Sequence, residues 1–149
     1  MADTPDAEKT VKAFYRQFKD DQIVLDKWFI NQAIMPGKSA LKTIRSLIAH
    51  KDFTWTNPNR VRAVIAAFAS ANPTGFNRAD GAGYRLVMDS IAKLDKINPQ
   101  IASRLLTAFR SWRMLEPGQR KHAEASLKQL KRQKGLSRDV SEILDRTLG

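Results

Sequence analysis

The sequence contains no cysteine and only two histidines. Without cysteine, the chain has no disulfides, no thiolate metal ligands and no cysteine nucleophile. His50 and His122 lie in different segments, and neither has a second histidine three or four residues away, so the pattern of a zinc site such as His-Glu-x-x-His is absent. We expect both to be surface or helix-end residues. We predict no metal, cofactor or catalytic residue within this chain.

Long hydrophobic runs are also missing. No stretch approaches the roughly 20 apolar residues needed to span a bilayer. The segment Met1–Asp6 has neither the basic nor the apolar region of a signal peptide. We therefore expect a soluble, cytoplasmic protein without membrane contact.

Acidic residues are scarce in the middle of the chain, where Asp52 is the only one between Asp26 and Asp80. Overall, the chain has 26 Lys and Arg residues and 15 Asp and Glu residues, which gives a net charge of +11. Such a balance permits binding to nucleic acid or to other anions without selecting among them. The basic run 128–134 favours a solvated helix face, because no stacking aromatic residues accompany it. A nucleic-acid-binding module or a protein scaffold stays an alternative function.

Apolar residues recur at helical spacing along the chain, as in Val61, Val64, Ile65 and Phe68, and no long segment alternates with period two. The periodicity predicts an all-α fold with a buried apolar helix over 23–34 and an outer helix over 119–134. The larger aromatic residues are predicted to lie in the core, and they are Phe14, Phe18, Trp28, Phe29, Phe68, Phe109 and Trp112.

Capping residues mark several helix starts. Asn57-Pro58 and Asn98-Pro99 each place a capping amide before a proline at the first helical position, and Ser137 can cap the last helix. At Asn72-Pro73 the following Thr-Gly favours a turn. The segment Asp80–Gly83 lacks a preceding strand and a full phosphate-binding motif, so it predicts a turn entering a helix, with Asp80 as a cap.

The segment 57–68 aligns with 98–109 at an offset of 41 residues (98 − 57). HEAT and armadillo proteins repeat helix pairs at about 40 to 47 residues, and each pair buries its apolar face by stacking on its neighbours. The offset favours a curved stack of antiparallel helix pairs, like a HEAT or armadillo superhelix, forming a single domain over residues 1–149. Two amphipathic helices with the same capping chemistry would produce the same match.

Three blocks together resemble one family. They are Leu25–Phe29 with Gln32-Ala33, then Asn57–Arg62 with Phe68, then Asp80–Tyr84 followed by Asn98–Leu105. In this order they are similar to the C-terminal helical domain of bacterial aminopeptidase N, a zinc metallopeptidase. The likeness extends from about Phe14 to Leu148.

The resemblance implies a non-catalytic domain that caps the catalytic chamber of a larger enzyme and controls peptide access. The enzyme would remove N-terminal residues from peptides, with zinc held in another domain of the parent chain. The partners implied are that catalytic domain and peptide substrates or products.

The resemblance also implies site residues. Arg62 and Arg104 match arginines that face the chamber in the family, and Arg60 lies beside the first. A guanidinium group can hold the free carboxylate of a peptide through charge-assisted hydrogen bonds. The alternative is that these arginines pair with helix ends or solvent.

Overall fold

The computed structural model describes residues 5–149; residues 1–4, which carry most of the prediction about a signal peptide, lie outside this range. All regular structure within it is helical, which confirms the predicted all-α class. None of the helices in this range is both long and apolar enough to cross a bilayer. The α-helices are α1 (Pro5–Phe18), α2 (Gln22–Ala33), α3 (Ala40–Ile48), α4 (Pro58–Val61), α5 (Ala67–Ala71), α6 (Pro73–Phe76), α7 (Ala82–Asp95), α8 (Pro99–Leu106), α9 (Pro117–Lys131) and α10 (Arg138–Leu148).

Residues 58–71 form one continuous helix with a change of geometry in its middle. Between α4 and α5, Arg62–Ala66 adopts the wider π-helix. The π segment buries three consecutive side chains, with Ala63 2% exposed and Val64 and Ile65 0%. Three consecutive residues cover much of the circumference of a helix, so this turn is surrounded by other elements.

The chain divides into two compact units, Met1–Gly75 and Phe76–Gly149. In the first unit, α2 packs against α1, α3 and the π segment. Its core consists of fully buried residues that include Leu25, Phe29, Ile44 and Phe68. The expectation of a single domain over 1–149 stays a prediction.

In the second unit, α7 and α10 pack on α8, and α9 packs on α7 and α10. Tyr84, Ile91 and Leu106 form part of its core. The polar helix α9 contributes only a narrow apolar stripe, Ala123, Leu127 and Leu130, each at most 1% exposed. This stripe confirms the prediction of an outer helix with one apolar face.

Three of the predicted caps, Asn57, Asn98 and Ser137, are present. Asn57 Oδ1 accepts from the backbone N–H of Arg60 at 3.2 Å, and Asn98 Oδ1 accepts from that of Ile101 at 3.3 Å. Ser137 Oγ accepts from the Val140 N–H at 3.1 Å. Each bond satisfies a backbone donor that has no partner within its own helix.

At Asn72 the structure differs from the predicted turn. Pro73–Phe76 forms one helical turn, and Asn72 Oδ1 accepts from the Gly75 N–H at 3.3 Å. The Asn72 amide is also buried and donates to the carbonyls of Ala33 and Met35 at 3.0 and 3.1 Å. Asn72 therefore satisfies two carbonyls at the end of α2, a role that local sequence does not reveal.

The two aligned segments begin alike and then diverge. Each starts at an Asn-Pro cap, and buried residues recur at equivalent positions, such as Val64 with Leu105 and Phe68 with Phe109. The first segment then widens into the π turn, whereas the second tightens into a 3-10 turn at Thr107–Phe109. One copy lies in each unit.

Three apolar residues, Phe14, Ile23 and Phe18, do not occupy the predicted core. Phe14 is 37% exposed, because α1 turns Tyr15 rather than Phe14 toward Trp28. Ile23 is 72% exposed, because it lies in the first turn of α2, where the Asp21 carboxylate accepts its N–H at the surface. Phe18 is half-buried and stacks on Phe14 with ring centroids 4.7 Å apart.

Candidate functional site

Arg62 and Arg104 both present exposed side chains. Arg62 begins the π segment, and its Nη1 donates to Asn59 Oδ1 at 2.9 Å. Arg104 lies in α8, and neither arginine forms an ion pair with another described residue. The two side chains belong to different units, so each presents its charge from its own helical scaffold.

Arg60 departs from the expectation that it lies along a substrate channel. Its side chain is 2% exposed. Nε donates to Asp26 Oδ1 at 2.8 Å, Nη2 donates to Gln22 Oε1 at 2.8 Å, and Nη1 donates to the Asp52 carbonyl. The guanidinium also lies over the Phe29 ring, 4.8 Å from its centroid. With these donors engaged inside the first unit, Arg60 joins α2 to the loop before α4 and is not placed to contact a peptide.

The loop that carries Asp52 is tied to α1 and to the end of α3. Tyr15 donates its hydroxyl hydrogen bond to Asp52 Oδ2, and the Asp52 N–H donates to His50 Nδ1 at 3.0 Å. The His50 ring packs on Tyr15, Trp28 and Phe29, with centroid distances of 4.9, 5.3 and 5.5 Å. His50 follows the C-cap of α3, which agrees with the predicted helix-end position, and it is a half-buried member of an aromatic cluster rather than a surface residue.

This environment shifts the pKa values of two side chains, His50 and Tyr15. Burial lowers the pKa of His50 below its ordinary 6.5, Lys51 and Arg60 act in the same direction, and Asp52 opposes them. The hydrogen bond to Asp52 raises the pKa of Tyr15 to about 12. Both shifts favour the neutral side chains that the observed hydrogen bonds require.

His122 and the segment Asp80–Gly83 meet in the second unit. Gly81 has a φ of +75°, and a Cβ at this position would lie 2.6 Å from His122 Cβ. The Asp80 carboxylate accepts from Arg78 Nη2 and from the Ala82 N–H, each at 3.0 Å, and these bonds, the one from Arg78 first, lower the pKa of Asp80 to about 2. The segment is the helix-entering turn that the sequence predicts. The N-cap of α7 is Gly81 rather than the predicted Asp80, which lies one residue earlier and accepts from the Ala82 N–H. Glycine is required at position 81 by both the backbone and the close neighbour.

The basic run in α9 is partly neutralised. Lys128 Nζ lies 3.0 Å from Glu124 Oε1, and Lys131 Nζ lies 3.4 Å from Asp145 Oδ1. Over residues 5–149 no group of three or more His, Cys, Asp or Glu side chains is arranged to hold a metal ion. The described side chains offer cationic groups for binding anions, among them the exposed Arg62 and Arg104.

The sequence patterns did not reveal the residues that surround Arg60. Asp26 and Gln22 lie 34 and 38 residues away from it in sequence. No short motif links such distant partners. The one available signal was the scarcity of acids near the arginines, since a buried guanidinium requires a carboxylate, and Asp26 and Asp52 are the only acids between residues 22 and 79.

Comparison with known proteins locates the chain in a family. The model described as "Domain of unknown function (DUF3458_C) ARM repeats" matches residues 1–149. The chain is 35% identical over 147 residues to aminopeptidase N of Escherichia coli (strain K12), which covers 99% of this chain and 17% of the relative. It is 37% identical over 142 residues to aminopeptidase N of Caulobacter vibrioides, covering 95% of this chain and 16% of the relative.

Aminopeptidase N of Haemophilus influenzae is 32% identical over 135 residues, covering 91% of this chain and 16% of the relative. The chain therefore spans about one sixth of the length of the curated relatives it matches. The similarity is to a C-terminal domain of bacterial aminopeptidase N, as the three sequence blocks predict. The ARM-repeat description agrees with the predicted helix-pair repeats.

Proposed function

We propose that this chain, which belongs to the DUF3458_C family of ARM-repeat domains, caps the catalytic chamber of a larger aminopeptidase N and controls the entry of peptides. The proposal is carried by one observation: nearly the whole chain matches about one sixth of an aminopeptidase. The catalytic residues of the enzyme would lie in the remaining part of the parent protein. We place that protein in the cytoplasm.

The parent enzyme would use zinc held outside this chain. The described side chains do not fit a zinc site, because the metal-binding groups available, such as His50 and His122, lie in separate units and no three of them converge. In the parent enzyme, the residues that hold zinc would lie in another domain, and the metal would supply Lewis-acid chemistry at the scissile peptide bond. The residues of this chain would act on the remainder of the peptide.

Within that function, Arg62 and Arg104 would each, from its own unit, offer a guanidinium to the free carboxylate of a peptide whose N-terminus lies in the catalytic domain. Both side chains are exposed and free of carboxylate partners among the described residues. A charge-assisted hydrogen bond from a guanidinium contributes about 1.5–3 kcal/mol, which corresponds to roughly ten- to hundredfold in binding. Arg60 is excluded from this role by its burial.

The test measures kcat/KM in the full-length parent enzyme carrying Arg62→Ala or Arg104→Ala. Peptides of two to eight residues would be compared in pairs, each with a free and an amidated C-terminus. We expect kcat/KM to fall about tenfold or more for the free acids of one length range, with amides unaffected. The control is Arg132→Ala, an exposed arginine of the second unit. Equal effects on acids and amides at every length would remove the two arginines from substrate binding.

A further inference from the structure

A groove of about 660 Å³ lies between α1, α2 and α3 in the first unit. Trp28, Tyr15, Leu47 and Met35 provide an apolar lining. The polar atom of Trp28 is already satisfied, since Nε1 donates to the Val11 carbonyl at 2.9 Å. The groove therefore offers an aromatic surface of a size typical of ligand sites, and no part of the function proposed above uses it.

One wall of the groove carries unpaired hydroxyl groups. Thr43 and Ser46 line it from one face of α3, three residues apart, and Ser39 lines it from the N-cap of that helix. None of these hydroxyls bonds to another described residue. They can accept from or donate to the amides of a bound chain.

His50 adds a directed donor. Because Nδ1 accepts from the Asp52 N–H, the proton of the neutral ring resides on Nε2. Nε2 has no partner among the described residues, and it is not among their enclosed, unsatisfied atoms. Since the ring lines the groove, this N–H is available to an acceptor there.

The rim of the groove is positively charged. Lys12, Arg16 and Lys42 line it, and over residues 5–149 the one carboxylate that lines it with them is Glu8. All four side chains are exposed, and none of the cations forms an ion pair with a described residue. The rim therefore attracts an anion, whereas a cationic or zwitterionic ligand with an exposed ammonium is repelled.

We propose that this groove binds the carboxyl-terminal end of a peptide whose last residue has an apolar side chain. The aromatic lining takes the apolar side chain, the rim cations take the carboxylate, and the α3 hydroxyls bind the peptide amides. A fatty acid or an aryl acid has no amides for these hydroxyls to bind, so the hydroxyls favour a peptide over such acids. The site is separate from Arg62 and Arg104, and it does not depend on the enzymatic role of the parent.

The test uses the present chain and follows backbone amide chemical shifts by NMR during titration with acetyl-Ala-Ala-Phe as the free acid and as the amide. We expect saturable shifts confined to α1, α2, α3 and His50, with the acid binding about five- to tenfold more tightly than the amide. The double variant Lys12→Gln/Lys42→Gln should lose most of this difference. Because both lysines are exposed, the variant should keep the unfolding midpoint of the parent chain.

The matched control is Lys121→Gln/Lys134→Gln, which removes the same charge from exposed positions of the second unit and should leave binding unchanged. Octanoate provides a carboxylate with an apolar body and no amides, and we expect it to bind more weakly than the peptide acid. Equal affinity for acid and amide, shifts mapping outside the groove, or octanoate binding as tightly as the peptide would overturn the assignment. Because the assay involves no peptide cleavage, its result is independent of the arginine variants in the enzyme.

Discussion

Arg60 Nε and Asp26 Oδ1 lie 2.8 Å apart and join two helices whose residues are 34 positions apart in sequence. The arginine side chain is 2% exposed, and the aspartate is 22% exposed. The position aligned with Arg60 in the second unit is Ile101, an apolar residue three positions after Asn98. Arg60 thus places a charge at what is a core position in the other copy, and its hydrogen-bond partners compensate for the burial.

Removing this guanidinium should destabilise the first unit strongly. Arg60→Ala leaves Asp26 without its partner and the Asp52 carbonyl without its donor, at a cost of about 3–5 kcal/mol in the free energy of unfolding. Urea denaturation followed by circular dichroism measures the change. Arg62→Ala, at an exposed position two residues away, should change the free energy by less than about 0.5 kcal/mol. Similar losses for the two variants would show that the Arg60 contacts contribute little.

Gly81 should not tolerate even a methyl group. Alanine there is strained at a φ of +75° and would place its Cβ 2.6 Å from His122 Cβ. The two effects together predict a loss of roughly 2–4 kcal/mol. Gly118→Ala is the control, because nothing lies within 4 Å of its added Cβ, and we expect no loss of stability.

The double variant Gly81→Ala/His122→Ala separates the two causes at Gly81. It relieves the contact with the imidazole and leaves the backbone strain. We expect it to be more stable than the sum of the two single variants predicts. Strict additivity in thermal or urea denaturation would show that the histidine moves aside at no cost.

Stability should depend on pH through His50. The pKa of His50 is lowered in the folded chain, so the unfolded chain binds the proton more readily. The stabilising contribution is complete above the unfolded value near 6.5 and is lost as the pH falls through the lower folded value. Urea midpoints measured from pH 7.5 down to about 5 should fall more steeply for the natural chain than for His50→Gln, which has no titrating ring. Parallel curves would contradict this role.

The Asn98 cap should contribute modestly to the free energy of unfolding. Asn98→Ala removes the acceptor of the Ile101 N–H, and a cost of about 1 kcal/mol is expected. Asn98→Asp keeps an acceptor and should recover most of the loss. Asn31→Ala, at an exposed position within α2, serves as the matched asparagine control and should be neutral or slightly stabilising.

The fold class, the helix starts and the outer helix could be predicted because they depend on local chemistry. Apolar spacing defines one face of a helix, and an Asn-Pro pair defines its first turn. Local chemistry did not reveal the second role of Asn72. The same dipeptide begins only one turn there, and its amide donates to carbonyls nearly 40 residues earlier in the chain.

The arginines were harder to distinguish. Arg60 and Arg62 are two residues apart and chemically identical, yet one is buried and the other exposed. Whether each side chain is buried depends on which face of the helix meets α2, and on a carboxylate from a distant segment. The resemblance to a family indicated the region, whereas the three-dimensional packing decided which guanidinium is free. The exposure of Phe14 has the same origin, since periodicity alone does not say which side of α1 meets its neighbour.

The π turn at Arg62–Ala66 has a consequence for changes in chain length. A π turn accommodates one more residue than the α-helix on either side of it, so deleting one residue there can convert it to regular geometry while Arg60 and Phe68 keep their orientations. The same deletion within α7 would rotate everything downstream by about 100° and expose its buried face. Within the helix over residues 58–71, the π turn is therefore the place that best tolerates the deletion of one residue.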